Sequence, residues 1–409
     1  MRKIHNLLIL VLIFFIIPNL NTVSAKSNPP SVSADGAILM DATTGEILFQ
    51  KNMDKPYPPA STTKIMTALL TLENTNLDDV VTVGKKPPFA DGSKIYIFEG
   101  EQITVRDLLY ALLLESANDV SEALAEHISG SVEEFAKLMN KRAKELGCED
   151  TNFVNPSGLY NDKHRTSAKD LALIMRELAK YPDYVQISTS LSYKIAPTNK
   201  SKEPRPLWNK NKLVQQYSTY YYDGIEGGKT GYTVQSEHSY VASAQRNNHR
   251  LVAAFIHDKN KTYFADAIKL FDYGFNNYEL VKMFSKDEVV TEYNEKDLNV
   301  KLLASEDFYY IKEKGNDEKA VFNLENKDLS RESFQKGDNV INASISFNDK
   351  NIGTLKLLSD SDHIIKTNVS AQVISKMNTT VVTIVSLLLS VIIIALVIIY
   401  RKNKLKNIY

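Results

Sequence analysis

The chain has 409 residues, which is long enough for two or three domains that each bury their own core. Lysine plus arginine and aspartate plus glutamate each number 49, so the net charge is zero and no nucleic-acid partner is expected. Cys148 is the single cysteine, which excludes an internal disulfide, a multi-cysteine metal site and a CxxC redox pair. We expect it to be a small buried residue.

The first predicted element is a signal peptide over residues 1–25. Arg2 and Lys3 precede an apolar run from Leu7 to Ile17, and Ala25 ends a short stretch of small residues that suits signal peptidase. Cleavage after Ala25 would send the rest of the chain out of the cytoplasm. An uncleaved membrane anchor is the alternative interpretation.

Residues 26–278 are predicted to form an α/β domain in which helices cover a central antiparallel sheet. Short strands open and close this region, with turn residues Asn247 and Asn248 joining the last two. Apolar residues at helical spacing predict the helices between them, and Ser167 is a predicted N-cap with Asp170 at the capping-box position. The strands are expected at 36–40, 46–50, 239–245 and 249–257, and the helices at 61–73, 105–127, 135–146, 167–178 and 263–273.

Residues 279–358 change to short β-like stretches separated by charged turns, which predicts a second, small all-β domain. Residues 359–378 are a polar connector. A transmembrane helix is predicted over 379–400, because Val381–Tyr400 carries no charge and is long enough to cross a bilayer. The basic residues of the tail, 401–409, should keep it in the cytoplasm and leave the two domains on the other side of the membrane.

Ser61 and Lys64 lie three residues apart at the start of a predicted helix, where such side chains share one face. A serine hydroxyl becomes a nucleophile at neutral pH only when a neighbouring group accepts its proton. Lysine can accept it if burial or nearby positive charge lowers its pKa. This pair is therefore a candidate nucleophile and base.

Two further motifs add polar groups. Ser116 and Asn118 lie on a predicted loop between buried segments, where Ser116 can relay a proton beside Lys64 and Asn118 can hold the lysine and donate to a substrate carbonyl. A helix-capping pair is the alternative for these two. The third motif is Lys229-Thr230-Gly231, in which the lysine offers charge, the threonine a hydroxyl for a carboxylate, and glycine a close approach to a ligand. A simple turn is the alternative there.

The motifs SxxK, SxN and KTG occur in this order, and the arrangement resembles the active-site serine penicillin-binding proteins and β-lactamases. It is most similar to the low-molecular-weight D-alanyl-D-alanine carboxypeptidases over roughly residues 35–278, and the β domain and membrane anchor also fit that layout. Beyond the motifs, the likeness includes Ala37–Asp41, Pro59–Thr67, Ser116–Asp119, Asn155–Leu159 and Tyr273–Phe275.

The resemblance implies a β-lactamase/transpeptidase-like fold in which Ser61 attacks the carbonyl between two D-alanines and Lys64 takes its proton. It places the developing oxyanion between the backbone N–H groups of Ser61 and Tyr232. The implied partners are the D-Ala-D-Ala terminus of a peptidoglycan stem peptide, β-lactam antibiotics and the cell membrane. The seven histidines show no ligand spacing, so no metal or cofactor is expected.

One position departs from the family pattern. Many members carry an arginine near the start of the last catalytic-domain helix, where this chain has Tyr263. Binding of the substrate carboxylate then depends on Lys229, Thr230 and Thr233, with Lys259 or Lys261 as possible substitutes.

Three alternative functions compete with this interpretation. A class A β-lactamase needs a glutamate on the loop before the KTG strand, whereas residues 155–165 offer only Asp162 and His164, which we expect to be solvated. A DD-endopeptidase or transpeptidase stays open, because water and an amine compete for the same intermediate. A non-catalytic wall-binding protein is disfavoured by the intact motif residues.

Overall fold

The computed structural model describes residues 28–295, 298–365 and 369–406, without the side chains of 369–377 and 403–406. The predicted signal peptide lies outside the described residues. The chain divides into two compact units. The first is the chain up to Met283 together with Tyr309–Lys319, and the second is Phe284–Phe308 together with the chain from Ala320.

The helices and strands of the described residues are numbered separately along the chain. In chain order they are β1 (Gly36–Asp41), β2 (Ile47–Lys51), α1 (Lys64–Asn74), β3 (Val80–Thr82), β4 (Gln102–Thr104), α2 (Val105–Tyr110), α3 (Asn118–Ser129), α4 (Val132–Glu145), α5 (Ala168–Leu178), α6 (Pro182–Thr189), β5 (Ser192–Ile195), β6 (Arg205–Trp208), β7 (Ile225–Thr233), β8 (Glu237–Arg246), β9 (His249–Asp258), α7 (Tyr263–Asn277), β10 (Tyr278–Phe284), β11 (Val289–Glu295), β12 (Leu298–Ala304), β13 (Phe308–Glu313), β14 (Val321–Leu324), β15 (Asn339–Phe347), β16 (Lys350–Ser359) and α8 (Val369–Lys406).

The first unit is built on a five-stranded antiparallel sheet with the order β2-β1-β9-β8-β7. Side chains alternate between its two faces, so Ile38 lies in one buried cluster with helix α5 while Leu39 lies in another with helix α7. The turn at Asn247 and Asn248 has the positive φ angles that a tight hairpin requires. The predicted α/β fold class is confirmed, with both faces of the sheet covered.

One predicted helix is divided in the structure. The segment expected to be helical over 105–127 forms α2, a π-helical turn at Ala111–Glu115, and then α3. Ser116 separates them because its φ of 63° is left-handed, and a right-handed helix cannot continue through that conformation. The break places the SxN motif at the start of α3.

Several elements were not predicted, and one cap differs in detail. The short strands β3 to β6 and helix α6 carry too few residues for a clear period. Ser167 is the N-cap of α5, as predicted. The Asp170 carboxylate accepts hydrogen bonds from Glu149 N and Asp150 N, so it fixes the turn beside the half-buried Cys148.

The second unit contains a five-stranded antiparallel sheet with the order β11-β12-β16-β15-β14, which agrees with the predicted all-β domain. Val300, Leu302 and Leu355 are among the residues in its core. Helix α8 follows, and its segment Asn378–Lys402 spans 25 residues, of which an 18-residue stretch has a mean hydropathy of 3.2. It is long and apolar enough to cross a membrane.

Candidate active site

Ser61 lies on a short 3₁₀ turn, Ala60–Thr63, that leads directly into helix α1. In a 3₁₀ turn the side chains at i and i+3 eclipse one another more closely than in an α-helix. Ser61 Oγ and Lys64 Nζ are consequently 3.1 Å apart. The structure therefore brings the candidate nucleophile and base into contact.

The Lys64 amine is buried and contacts oxygen atoms from three separate segments. Besides Ser61 Oγ, its Nζ lies 2.6 Å from Asn118 Oδ1 and 2.6 Å from the carbonyl oxygen of Ser157. Burial, and secondly the positive charge of Lys229, lower the pKa of Lys64 well below its usual value.

These contacts suit a neutral amine. Asn118 Nδ2 donates to Asp91 O at 2.6 Å, which fixes its amide so that Oδ1 faces Lys64. Two of the three Lys64 partners are thus pure acceptors, and they match the two N–H bonds of a neutral amine. The third partner, Ser61, can donate its hydroxyl hydrogen to the remaining lone pair.

The loop at residues 91–97 is tied to the start of helix α3. The backbone N–H of Asn118 donates to Ser93 O at 2.6 Å, and the buried Asp119 carboxylate accepts from the N–H groups of Ile95 and Ile97. Within the described part of the chain, the Ser116 hydroxyl makes no hydrogen bond to Lys64. Proton relay by Ser116 therefore stays a prediction.

Strand β7 carries the KTG motif and is the last strand of its sheet. A Cβ placed on Gly231 would lie 2.9 Å from Ser61 N and 2.8 Å from Pro59 O, so only glycine lets the strand approach the nucleophile turn this closely. Ser239 Oγ of the neighbouring strand donates to the same Pro59 oxygen at 2.9 Å. The third motif thus lies directly against the first.

Lys229 is buried on β7, and its Nζ donates to Thr230 O at 2.9 Å. Burial, with a smaller effect from Lys210, lowers its pKa to about 7. Its positive charge is therefore held in place without a carboxylate partner among the described residues. Such a site favours an incoming anion.

The remaining predicted substrate groups lie at the end of β7. The Tyr232 ring is exposed and stacks on His238 at 4.4 Å between centroids. Thr233 Oγ1 donates to Ser236 Oγ at 2.7 Å, so this hydroxyl is engaged in the turn to β8. Tyr263 is buried at the start of α7. Burial, and secondly the charge of Lys261, lower the pKa of His238.

One expectation was wrong: His164 is buried, not solvated. Its Nδ1 accepts the Val154 N–H at 3.1 Å, so the neutral ring carries its proton on Nε2 and donates to Thr63 Oγ1 at 2.9 Å. Burial, and secondly Lys64, lower its pKa to about 4, so the ring is uncharged at neutral pH. Asp162 is exposed.

His164 and the Ser157 carbonyl are site groups that lie outside the three motifs. Both belong to the loop that includes Asn155–Leu159, whose signal in the sequence is a resemblance to the family. Gly158 presses this loop against the nucleophile turn: its φ is 82°, and a Cβ there would lie 1.8 Å from Ala60 O. The loop and the turn therefore fix one another.

A metal ion has no evident place in the described parts of the chain, where no group of three or more histidine, cysteine, aspartate or glutamate side chains could hold one. The arrangement instead offers a hydroxyl in contact with a buried amine, and a buried cation near enough to act on that amine. These are the groups that acyl transfer to a serine requires.

Comparison with known families agrees with this chemistry. Residues 22–260 match the family model for D-alanyl-D-alanine carboxypeptidase, and residues 278–363 match that for the penicillin-binding protein 5 C-terminal domain. The D-alanyl-D-alanine carboxypeptidase DacF of Bacillus subtilis is 33% identical over 83% of this chain and 85% of its own length. DacA of Haemophilus influenzae is 32% identical over 74% of this chain and 78% of its own.

Solved structures that are similar to this chain belong to penicillin-binding proteins and DD-transpeptidases. Penicillin-binding protein 5 from Haemophilus influenzae has a TM-score of 0.69 and 30% identity, covering 82% of this chain and 99% of that one. A DD-transpeptidase from Streptomyces K15 has a TM-score of 0.56 and 30% identity over 60% of this chain and 99% of that one.

Replacing Gly158 by alanine should destabilise the protein strongly. The new Cβ would meet a backbone oxygen that cannot move without displacing Ser61. We therefore expect the free energy of unfolding to fall by about 3 kcal/mol or more, and the melting temperature by ~10 °C. Gly130→Ala is the matched control, because Gly130 has a φ of 78° and nothing within 4 Å of its missing Cβ. The free energy of unfolding of Gly130→Ala should fall by only about 1 kcal/mol. Equal losses in the two variants would contradict the proposed clash.

His164→Phe should slow acylation of Ser61 while retaining the buried ring. It removes the hydrogen bonds to Val154 and Thr63, and we expect labelling by a fluorescent penicillin to slow about 10-fold, with a similar effect from Thr63→Val, which removes only the second bond. The double variant should be little worse than His164→Phe, because both changes break the same contact between Thr63 and His164. His249→Phe, a buried histidine elsewhere in the fold, should label at the wild-type rate. Additive effects of His164→Phe and Thr63→Val would disprove the coupling.

Proposed function

Because the chain belongs to the D-alanyl-D-alanine carboxypeptidase family, we propose that Ser61 is its nucleophile and Lys64 the general base. The enzyme is a serine-type carboxypeptidase that acts on the D-Ala-D-Ala terminus of peptidoglycan peptides, and its family binds β-lactams. The assignment of roles depends on one observation, the 3.1 Å contact between Ser61 Oγ and a buried lysine whose other partners are both acceptors.

Acylation begins with transfer of the Ser61 proton to the neutral Lys64 amine. The Ser61 oxygen then forms a bond to the carbonyl carbon between the two D-alanines. We assign the resulting negative oxygen to the backbone N–H groups of Ser61 and Tyr232, each such donor being worth about 3 kcal/mol in acyl-transfer enzymes. The close approach of Gly231 to Ser61 N supports that pairing.

Collapse of this intermediate breaks the C–N bond, and the departing D-alanine amine takes the proton that Lys64 gained. Ser116, beside Asn118 in the same cleft, is our candidate for relaying that proton. Water then attacks the acyl-enzyme and gives a proton to Lys64. The ester C–O bond breaks, Ser61 Oγ recovers that proton from Lys64, and the shortened peptide is released. A β-lactam would acylate Ser61 by the same first step.

Recognition of the terminal carboxylate is assigned to Lys229 and Thr230. Lys229 supplies a buried positive charge and Thr230 a hydroxyl on the adjacent position of β7. Lys261 is preferred over Lys259 as a substitute for the family's arginine, because its charge acts on His238, which stacks on Tyr232. The outer edge of β7 would pair with the peptide backbone.

We further propose that helix α8 anchors the enzyme through Asn378–Lys402, with the catalytic unit outside the cytoplasm. Arg401 and Lys402 follow the apolar segment and favour the cytoplasmic side for the tail. The full chain should sediment with membranes and a chain ending at residue 377 should not. A full chain that stays in solution would contradict the anchor.

Ser61→Ala should abolish both release of free D-alanine from diacetyl-Lys-D-Ala-D-Ala and labelling by a fluorescent penicillin. Lys64→Met should lower the rate about 10²- to 10⁴-fold, because it removes the general base while keeping the side-chain volume. Mass spectrometry of the digest, with D-alanine amide added as a competing amine, measures hydrolysis and transpeptidation together. Substantial D-alanine release by Ser61→Ala would exclude Ser61 as the nucleophile.

The pH profile should have two limbs of opposite sign. The acylation rate should rise as the pH passes the lowered pKa of Lys64, because Lys64 accepts a proton only when it is deprotonated. Above about pH 7, Lys229 of the substrate-free enzyme loses its proton, so KM for a substrate that carries a carboxylate should rise. Lys229→Arg should keep KM flat at alkaline pH, since arginine stays charged. An unchanged alkaline limb in that variant would exclude Lys229 as its origin.

A further inference from the structure

A cavity opens in the first unit beside the segment that leads into helix α3. Its volume is about 280 Å³, and it lies between the loop near residue 95 and strand β6. Its walls include Lys94, Ile95, Tyr96, Glu115, Arg205 and Leu207. Nothing in the mechanism above uses this space.

Two wall residues connect the cavity to the active site. Glu115 directly precedes Ser116, and the N–H of Ile95 is held by the Asp119 carboxylate. Asp119 in turn follows Asn118, whose Oδ1 lies 2.6 Å from Lys64 Nζ. The cavity wall is therefore tied to the residues next to Asn118, which itself contacts the base beside Ser61.

The ion pairs of the cavity leave one charge without a partner. Arg205 is paired with the buried Glu101 at 2.8 Å. Glu115 is paired with Lys210 at 2.8 Å and also accepts the Trp208 N–H. Lys94 is half-buried and lies over the Tyr96 ring at 5.8 Å, but no carboxylate of the described residues pairs with it.

We propose that this cavity binds the side chain of the residue that precedes the two D-alanines and prefers one that ends in a carboxylate. The inference rests on the proposed function, because it needs the acyl donor to be bound at Ser61. The methylene stem of a diamino acid would pack on Ile95 and Leu207. A terminal carboxylate, which diaminopimelate carries beside an ammonium group on the same carbon, would meet Lys94, whereas lysine would present an ammonium alone to the same place.

The test compares three peptides that end in D-Ala-D-Ala and differ only in the preceding residue: diaminopimelate, lysine or alanine. The wild-type kcat/KM should be about 5- to 10-fold higher for the diaminopimelyl peptide than for the lysyl peptide. Lys94→Ala should remove the preference and Lys94→Glu should reverse it. The alanyl peptide should respond to neither substitution.

The control variant is Lys163→Ala, which removes an equal charge from an exposed loop position and should leave the preference intact. Penicillin labelling reports the catalytic groups independently of the cavity. Normal labelling with no diaminopimelyl preference, or with a preference that Lys94→Glu leaves unchanged, would overturn the inference while the proposed function stands. Failure of the wild-type enzyme to release D-alanine from any of the three peptides would overturn both.

Discussion

The catalytic arrangement depends on keeping one buried amine uncharged and correctly oriented. Lys64 is enclosed by groups from the nucleophile turn, from the start of α3 and from the loop that carries Ser157. A charged lysine is costly to bury, and a second cation nearby makes the charge costlier still. Two acceptors then orient the neutral amine so that its lone pair remains for Ser61.

The surrounding structure serves this requirement by controlling which groups carry charge. His164 touches the nucleophile turn through Thr63 but is kept neutral by burial, so it adds no further cation beside Lys64. Lys229, by contrast, can bring positive charge to the cleft near neutral pH, where a substrate carboxylate would stabilise it. The three basic side chains therefore differ in charge and role: Lys64 is an uncharged base, His164 an uncharged hydrogen-bond donor to Thr63, and Lys229 a cation.

Close backbone contacts hold these groups in register. Gly231 lets the edge strand approach Ser61, and Gly158 lets the adjacent loop press on Ala60. Neither contact leaves space for a Cβ atom, so both depend on glycine. The nucleophile turn is therefore held from two sides, which limits the loss of geometry between successive steps of the reaction.

The sequence by itself determined the fold class, the family and the three motifs. These follow from local order along the chain: hydrophobic period for the elements, and short spacings such as that of Ser61 and Lys64. It also indicated the all-β domain and the apolar helix, since both depend on composition over contiguous stretches.

Only the tertiary structure decided which residues from distant segments contact one another. The Ser157 carbonyl carries no side-chain signal, and the burial of His164 depends on packing of a loop about 100 positions away from Thr63. The left-handed turn at Ser116 is equally hidden, because a run of apolar residues predicts continued helix across it. The cavity beside Lys94 exists only because β6 folds back toward residue 95. Such features are set by contacts between remote residues, which spacing along the chain does not encode.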